Sequence, residues 1–155
     1  MGAREQVLQG RTWVQKVVEW VPGFRGYYAR EHRRDADRLL RDAVSSRLRA
    51  AVDALGEASA AQVKAGRLDE VERLQRLSQR AGTLADRIRT AAGGYSGFFD
   101  AVKVLEPQLD HLYELDTTLL AAAEAFKSDP QEPKAAALEA LMDRRKELFL
   151  DLKGA

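Results

Sequence analysis

Arginine has the most chemistry to offer in this chain. Arg30, Arg33, Arg34, Arg38 and Arg41 would fall within an arc of about 140° on one helix. Such a stripe of guanidinium groups can grip phosphates of nucleic acid or lipid headgroups. Acids thread it, however. Arg33–Asp37, Asp37–Arg41 and Arg38–Asp42 are four apart, and Glu31–Arg34 and Asp35–Arg38 are three apart. Those are the spacings of intrahelical ion pairs. A dedicated phosphate binder leaves its cations free, so a salt-bridge lattice is the first reading. An anion or nucleic-acid surface comes second, and a protein-partner surface third.

Metal and catalytic chemistry find little support. His32 and His111 are far apart, and neither has a Glu three residues before it, so the Glu-x-x-His pairing of di-iron bundles is missing. Asp110, His111 and Glu114 share a helical turn, but no matching ligands recur elsewhere at bundle spacing. The chain has no cysteine, which removes disulfides and thiolate sites. Phosphate-loop, dinucleotide and nucleophile-elbow motifs are absent. The expectation is no cofactor, no metal and no enzymatic activity.

The elements that must position these residues read as helix throughout. With 155 residues rich in Ala, Leu, Arg and Glu and poor in Pro, the chain is expected to form one helical domain, residues 1–155. A first amphipathic helix spans about Arg4–Val21, with Val7, Trp13, Val14, Val17, Val18, Trp20 and Val21 on one face. Residues 1–22 are therefore a segment that can dock separately, on the bundle, on a second subunit or on a membrane interface. Pro22-Gly23 stops it.

A second helix from Tyr27 to about Ala65 carries the stripe Ala36, Leu40, Val44, Leu48, Val52, Leu55 and Val63. Gly56 within it marks a bend or the close approach of a neighbour, and Gly66 suits a left-handed cap. A third helix, Leu68 to Ala92, buries Leu68, Val71, Leu74, Leu77, Ala81, Leu84, Ile88 and Ala91. The two form a long central hairpin, about 27–65 and 68–92, with coiled-coil-like packing.

A short helical piece follows near Ser96–Leu105. The fourth helix opens at Glu106-Pro107 and buries Leu109, Leu112, Leu115, Leu119, Ala123 and Phe126. After a loop at 128–133, the last helix runs from Pro133 to about Lys153 and buries Leu138, Leu141, Leu148, Phe149 and Leu152. The fold class is all-α, an antiparallel bundle of about five helices.

Two glycine-aromatic corners punctuate the helices. Gly23-Phe24-Arg25-Gly26-Tyr27-Tyr28 has the same pattern as Gly94-Tyr95-Ser96-Gly97-Phe98-Phe99. In each, glycine lets the backbone turn while Phe24, Tyr27 and Tyr28, or Tyr95, Phe98 and Phe99, fill an open bundle end. Core packing is preferred over an aromatic ligand pocket.

Charge is unevenly spread. Residues 1–94 carry eighteen Lys and Arg against twelve Asp and Glu, and residues 95–155 carry seven against twelve. The halves are expected to pack on each other and neutralise, with head-to-tail association as the alternative. No run is long and apolar enough for a bilayer. The N-terminus lacks a signal-peptide layout, so the expected location is cytoplasmic or peripheral to the inner face of the membrane.

The stretch GFRGYYAREHRRDADRLLR resembles a segment of uncharacterised bacterial all-helical proteins. The layout, an amphipathic helix before a long helical hairpin, is similar to that of phage-shock protein A and ESCRT-III-like membrane-remodelling proteins. The resemblance is one of architecture and carries no residue roles. The function expected is a non-enzymatic interaction or scaffold bundle that binds a protein partner or itself, through Trp13, Val17, Trp20 and the arginines Arg30, Arg33, Arg34, Arg38 and Arg41. Membrane association through Trp13, Val17 and Trp20 is the runner-up. Nucleic-acid binding ranks last.

Overall fold

Leu, Ala and Val at every third or fourth position, in segments rich in strong helix formers, bury one face by packing on neighbouring helices. A computed structural model describes residues 17, 19–24, 33–91 and 106–154. They form α1 (Arg33–Lys64), α2 (Leu68–Thr90), α3 (Glu106–Ser128) and α4 (Glu132–Gly154). No strand occurs among the described residues. The expectation of about five helices becomes four here. Most of the first helix (Trp13 included), residues 27–32, and the piece at Ser96–Leu105 lie outside the described residues.

Side-chain contacts fix the direction of each helix. Arg41 donates to the Arg89 carbonyl and Ser45 to the Ala85 carbonyl, so α1 and α2 are antiparallel. Asp116 with Arg145, and Asp129 with Lys134, make α3 and α4 a second antiparallel pair. Arg80 meets Glu132 and Glu139 while Arg87 meets Asp143, so α2 and α4 run parallel. The architecture is therefore two antiparallel hairpins laid side by side. α1 packs mainly on α2 and α3, and α4 on α3 and α2.

The hairpins differ in reach. Arg80 meets the first residue of α4, so residues 68–79 of α2 precede the second hairpin. That is an overhang of roughly 18 Å at 1.5 Å per residue. Burial records the same change. Ala36/Asp37, Leu40/Arg41 and Val44/Ser45 are buried as adjacent pairs, as a helix with two neighbours requires. Beyond Leu48 and Ala51 only Leu55 and Ser59 are buried, as with a single neighbour. In α2 the order is mirrored, from Val71, Leu74 and Leu77 to Ala81, Leu84/Ala85 and Ile88.

This overhang corrects three expectations. Val63 and Leu68, placed in the core by spacing, are 56% and 68% exposed, because they flank the open end of the two-helix arm, whereas Leu55, Val71 and Leu74 further in are buried. A Cβ at Gly56 would meet nothing within 4 Å, so no close approach of a neighbour requires glycine there. The turn itself forms as expected. Gly66 has φ +73°, its amide donates to Val63, and Arg67 donates to Gln62. The pair satisfies the last carbonyls of α1, and only the left-handed glycine conformation brings both amides into line.

Before α1, Val17, Val21 and Phe24 are buried in the common core and Trp20 packs on its edge. Gly23 turns the chain at φ +88° after Pro22.

Candidate functional site

The deepest polar feature is an ion cluster that joins three helices. On α1, Asp37 and Arg41 are one turn apart, and the Arg41 Nε donates to Asp37 Oδ2 at 2.7 Å. On α3, Asp116 follows Leu112 and Tyr113 by one turn and precedes Leu119 and Leu120 by another. On α4, Arg145 sits among Leu141, Met142, Leu148 and Phe149. Its Nε donates to Asp116 Oδ1 at 2.7 Å, and its Nη2 donates to Asp116 Oδ2 at 3.4 Å and also to Asp37 Oδ1. Arg41 Nη1 adds a 2.7 Å bond to the Arg89 carbonyl of α2. No side chain in the set is more than 6% exposed.

The cluster balances two carboxylates against two guanidiniums, which is what makes burial of four charges tolerable. Phe149 lies beneath Arg145, with the ring centroid 4.8 Å from the guanidinium carbon. Burial still pushes the Asp116 carboxyl above the usual range, against the opposing charge and hydrogen bond of Arg145. Such a cluster orients helices. It offers no exposed nucleophile or base.

A second polar device holds the N-terminal segment. Arg47 donates to Glu124 on α3 at 2.8 Å, to its own Ala43 carbonyl at 3.0 Å and to the Trp20 carbonyl at 3.4 Å. Its guanidinium also stands 5.8 Å from the Trp20 ring centroid. Deeper in, Phe24 meets Tyr113 edge to face at 5.7 Å. Burial raises the Glu124 carboxyl, but Lys127 and Arg47 outweigh it and hold the group below its ordinary value.

Elsewhere the hairpins meet through Arg80–Glu132, Arg80–Glu139 and Arg87–Asp143, at 3.0, 3.0 and 2.6 Å. The basic and acidic halves of the chain thus face each other. A cleft of about 390 Å³ lies between the C-terminal parts of α2 and α4, lined by Ile88, Ala91, Met142 and the Arg145 of the cluster, with Arg87, Lys146 and the exposed Leu150 at its edge.

The sequence-selected surface residues are scattered by this geometry. Arg38 is exposed and only 3.7 Å from Asp42, as an exposed intrahelical pair. Arg41, expected on an interaction surface, is buried in the cluster, because α2 covers that side of α1. Val17, expected there too, is fully buried against the bundle, and Trp20 is half-buried. Phe24 fills the core, as an aromatic corner should. Trp13, Arg30, Tyr27, Tyr28, Tyr95, Phe98 and Phe99, and the side chains of Arg33 and Arg34, lie outside the described residues. His111 and Glu114 are exposed, and among the described residues no group of acids and histidines could hold a metal ion.

Asp116 and Arg145 went unselected in the sequence, although a signal was there. Each is a charged residue whose neighbours at i±3 and i±4 are all apolar, which places it in the middle of a buried stripe. Comparison with protein-family models, curated proteins and solved structures finds no match to this chain.

Proposed function

We propose that the chain is a non-enzymatic interaction or scaffold bundle, with the overhanging tip of the α1–α2 hairpin as its contact element. The observation that carries this reading is the pair Val63 and Leu68. Both are large, apolar and more than half exposed, at the end of a projection the second hairpin leaves uncovered. Isolated exposed apolar side chains are common. Two flanking one turn at the far end of a two-helix arm make a presented contact.

Charge favours protein as the partner, a second copy of this chain included. Around the tip Lys64, Arg67, Arg73 and Arg76 are interspersed with Asp53, Glu57, Asp69, Glu70 and Glu72. An anionic membrane or a nucleic acid would meet no net attraction there. The cations of α1 with described partners, Arg38, Arg41, Arg47 and Arg49, face carboxylates. Membrane anchorage through the N-terminal helix would have to draw Val17, Val21 and Phe24 out of the core. No described helix is long and apolar enough to cross a membrane.

A photoreactive residue in place of Val63 tests the proposal. A discrete protein adduct is expected, at doubled mass if the partner is a second copy. The same probe at exposed Ala136 on α4 should give none. Adducts to lipid or nucleic acid, or none that distinguish the two positions, would overturn the reading.

A further inference from the structure

We propose that the Asp37–Arg41–Asp116–Arg145 cluster is a register key, selecting one alignment of the two hairpins from several that their apolar stripes would accept. The stripes themselves discriminate poorly. The hairpins meet through α1 on α3 and α2 on α4. The buried apolar residues of these helices include Leu40, Val44 and Leu48 with Leu112, Leu119 and Ala123, and Ala81, Leu84 and Ile88 with Ala135, Leu138 and Met142. A slip of one helical turn would again place one apolar side chain against another over most of the seam, Tyr113, Phe126 and Phe149 being its large exceptions.

The exposed pair of Arg87 discriminates no better. Arg87 pairs with Asp143, but Glu139 and Glu147 lie one turn to either side on α4. After a slip in either direction Arg87 would still meet a carboxylate.

The cluster behaves differently. A one-turn slip moves α4 by about 5.4 Å. Arg145 is held to Asp116 by a 2.7 Å bond, and also to Asp37, at less than 6% exposure. Only residues 129–131 join α3 to α4, so the second hairpin slips as a unit. Arg145 would keep Asp116 but leave Asp37, and Arg145 and Asp37 would both stay buried with a charged partner lost. Only the observed register pairs them. Because the network links α4 to both α1 and α3, it fixes the alignment of the hairpins as well as that within the second one. Buried ionic groups serve in this way where their removal relaxes alignment without lowering stability.

The chain lacks cysteine, so engineered pairs report alignment unambiguously. Arg87→Cys would be combined with Asp143→Cys, in register, or with Glu139→Cys or Glu147→Cys, one turn out. With the cluster intact, a short bifunctional thiol cross-linker should join the in-register pair faster by about tenfold or more, an Arg–Asp bridge spanning further than the narrow Cα separation a direct disulfide accepts. In the background Asp37→Leu, Arg41→Met, Asp116→Leu, Arg145→Met, the ratio should fall towards one with the urea midpoint not lowered. Arg145→Lys keeps the charge but loses the planar fork, and should reduce the ratio partly. A ratio unchanged in both backgrounds overturns the proposal. Loss of helical circular dichroism in the apolar variant overturns it too, because the cluster would then hold the fold rather than choose its alignment.

Discussion

Arg145 and Asp37 lie 108 positions apart, and the guanidinium of one donates to the carboxylate of the other in the bundle interior. Asp116 completes the bridge from α3. Replacing Arg145 with Ala removes the cation and leaves two carboxylates, 1% and 2% exposed, without their shared partner. The expected loss is about 3–5 kcal/mol, read as a lowered urea midpoint. Arg80→Ala, at a bridge more than one-third exposed, should cost less than about 1 kcal/mol. Equal effects would contradict the account of burial given above.

Two carboxylates on α3 should give stability opposite slopes with pH. The Asp116 pKa is raised in the folded chain, chiefly by burial. Between its unfolded and folded values the native state holds more protons, so its contribution rises on acidification and is lost as pH climbs through the folded value. Glu124 is held below its ordinary value, burial notwithstanding, by Lys127 and Arg47. Its contribution is present above the unfolded value and disappears as pH falls through the folded one. Urea unfolding across the acid range, for the parent chain against Asp116→Asn and Glu124→Gln, should show the two differences moving in opposite directions. Slopes of the same sign would contradict this.

The core stripes of the helices were legible because a helix with one buried face repeats its apolar residues every three or four positions. Leu40, Leu48, Leu74, Leu84, Leu112, Leu119, Leu138 and Phe149 all lie where that period puts them. Local spacing carries no record of how many neighbours a helix has. Asp37 and Arg41 therefore looked like an exposed pair, although α2 and α4 cover them. For the same reason Val63 and Leu68 looked buried. Their spacing continues the stripe past the point where the second hairpin ends. Stagger decided both cases: α2 and α4 have 23 residues each, but α4 begins level with Arg80, well inside α2, so Asp37 and Arg41 lie where the hairpins overlap and Val63 and Leu68 where they do not.

Arg47 should govern how firmly the N-terminal segment sits on the bundle. It reaches Glu124, Ala43 and the Trp20 carbonyl at once, and its guanidinium stands beside the Trp20 ring. Arg47→Ala removes every one of these contacts, while Val17, Val21 and Phe24 keep their buried places. The expected cost is about 1–3 kcal/mol, from charge-assisted hydrogen bonds and one cation–π contact. Both tryptophans of the chain, Trp13 and Trp20, precede α1, so tryptophan emission reports on this segment alone. A red shift is expected in Arg47→Ala at protein concentrations where the helical signal is unchanged. Arg47→Lys should not restore the parent emission, because an ammonium group cannot span Glu124 and the Trp20 carbonyl as a planar fork does. Emission that matches the parent in Arg47→Ala would mean that the apolar contacts of Val17, Val21 and Phe24 hold the segment by themselves.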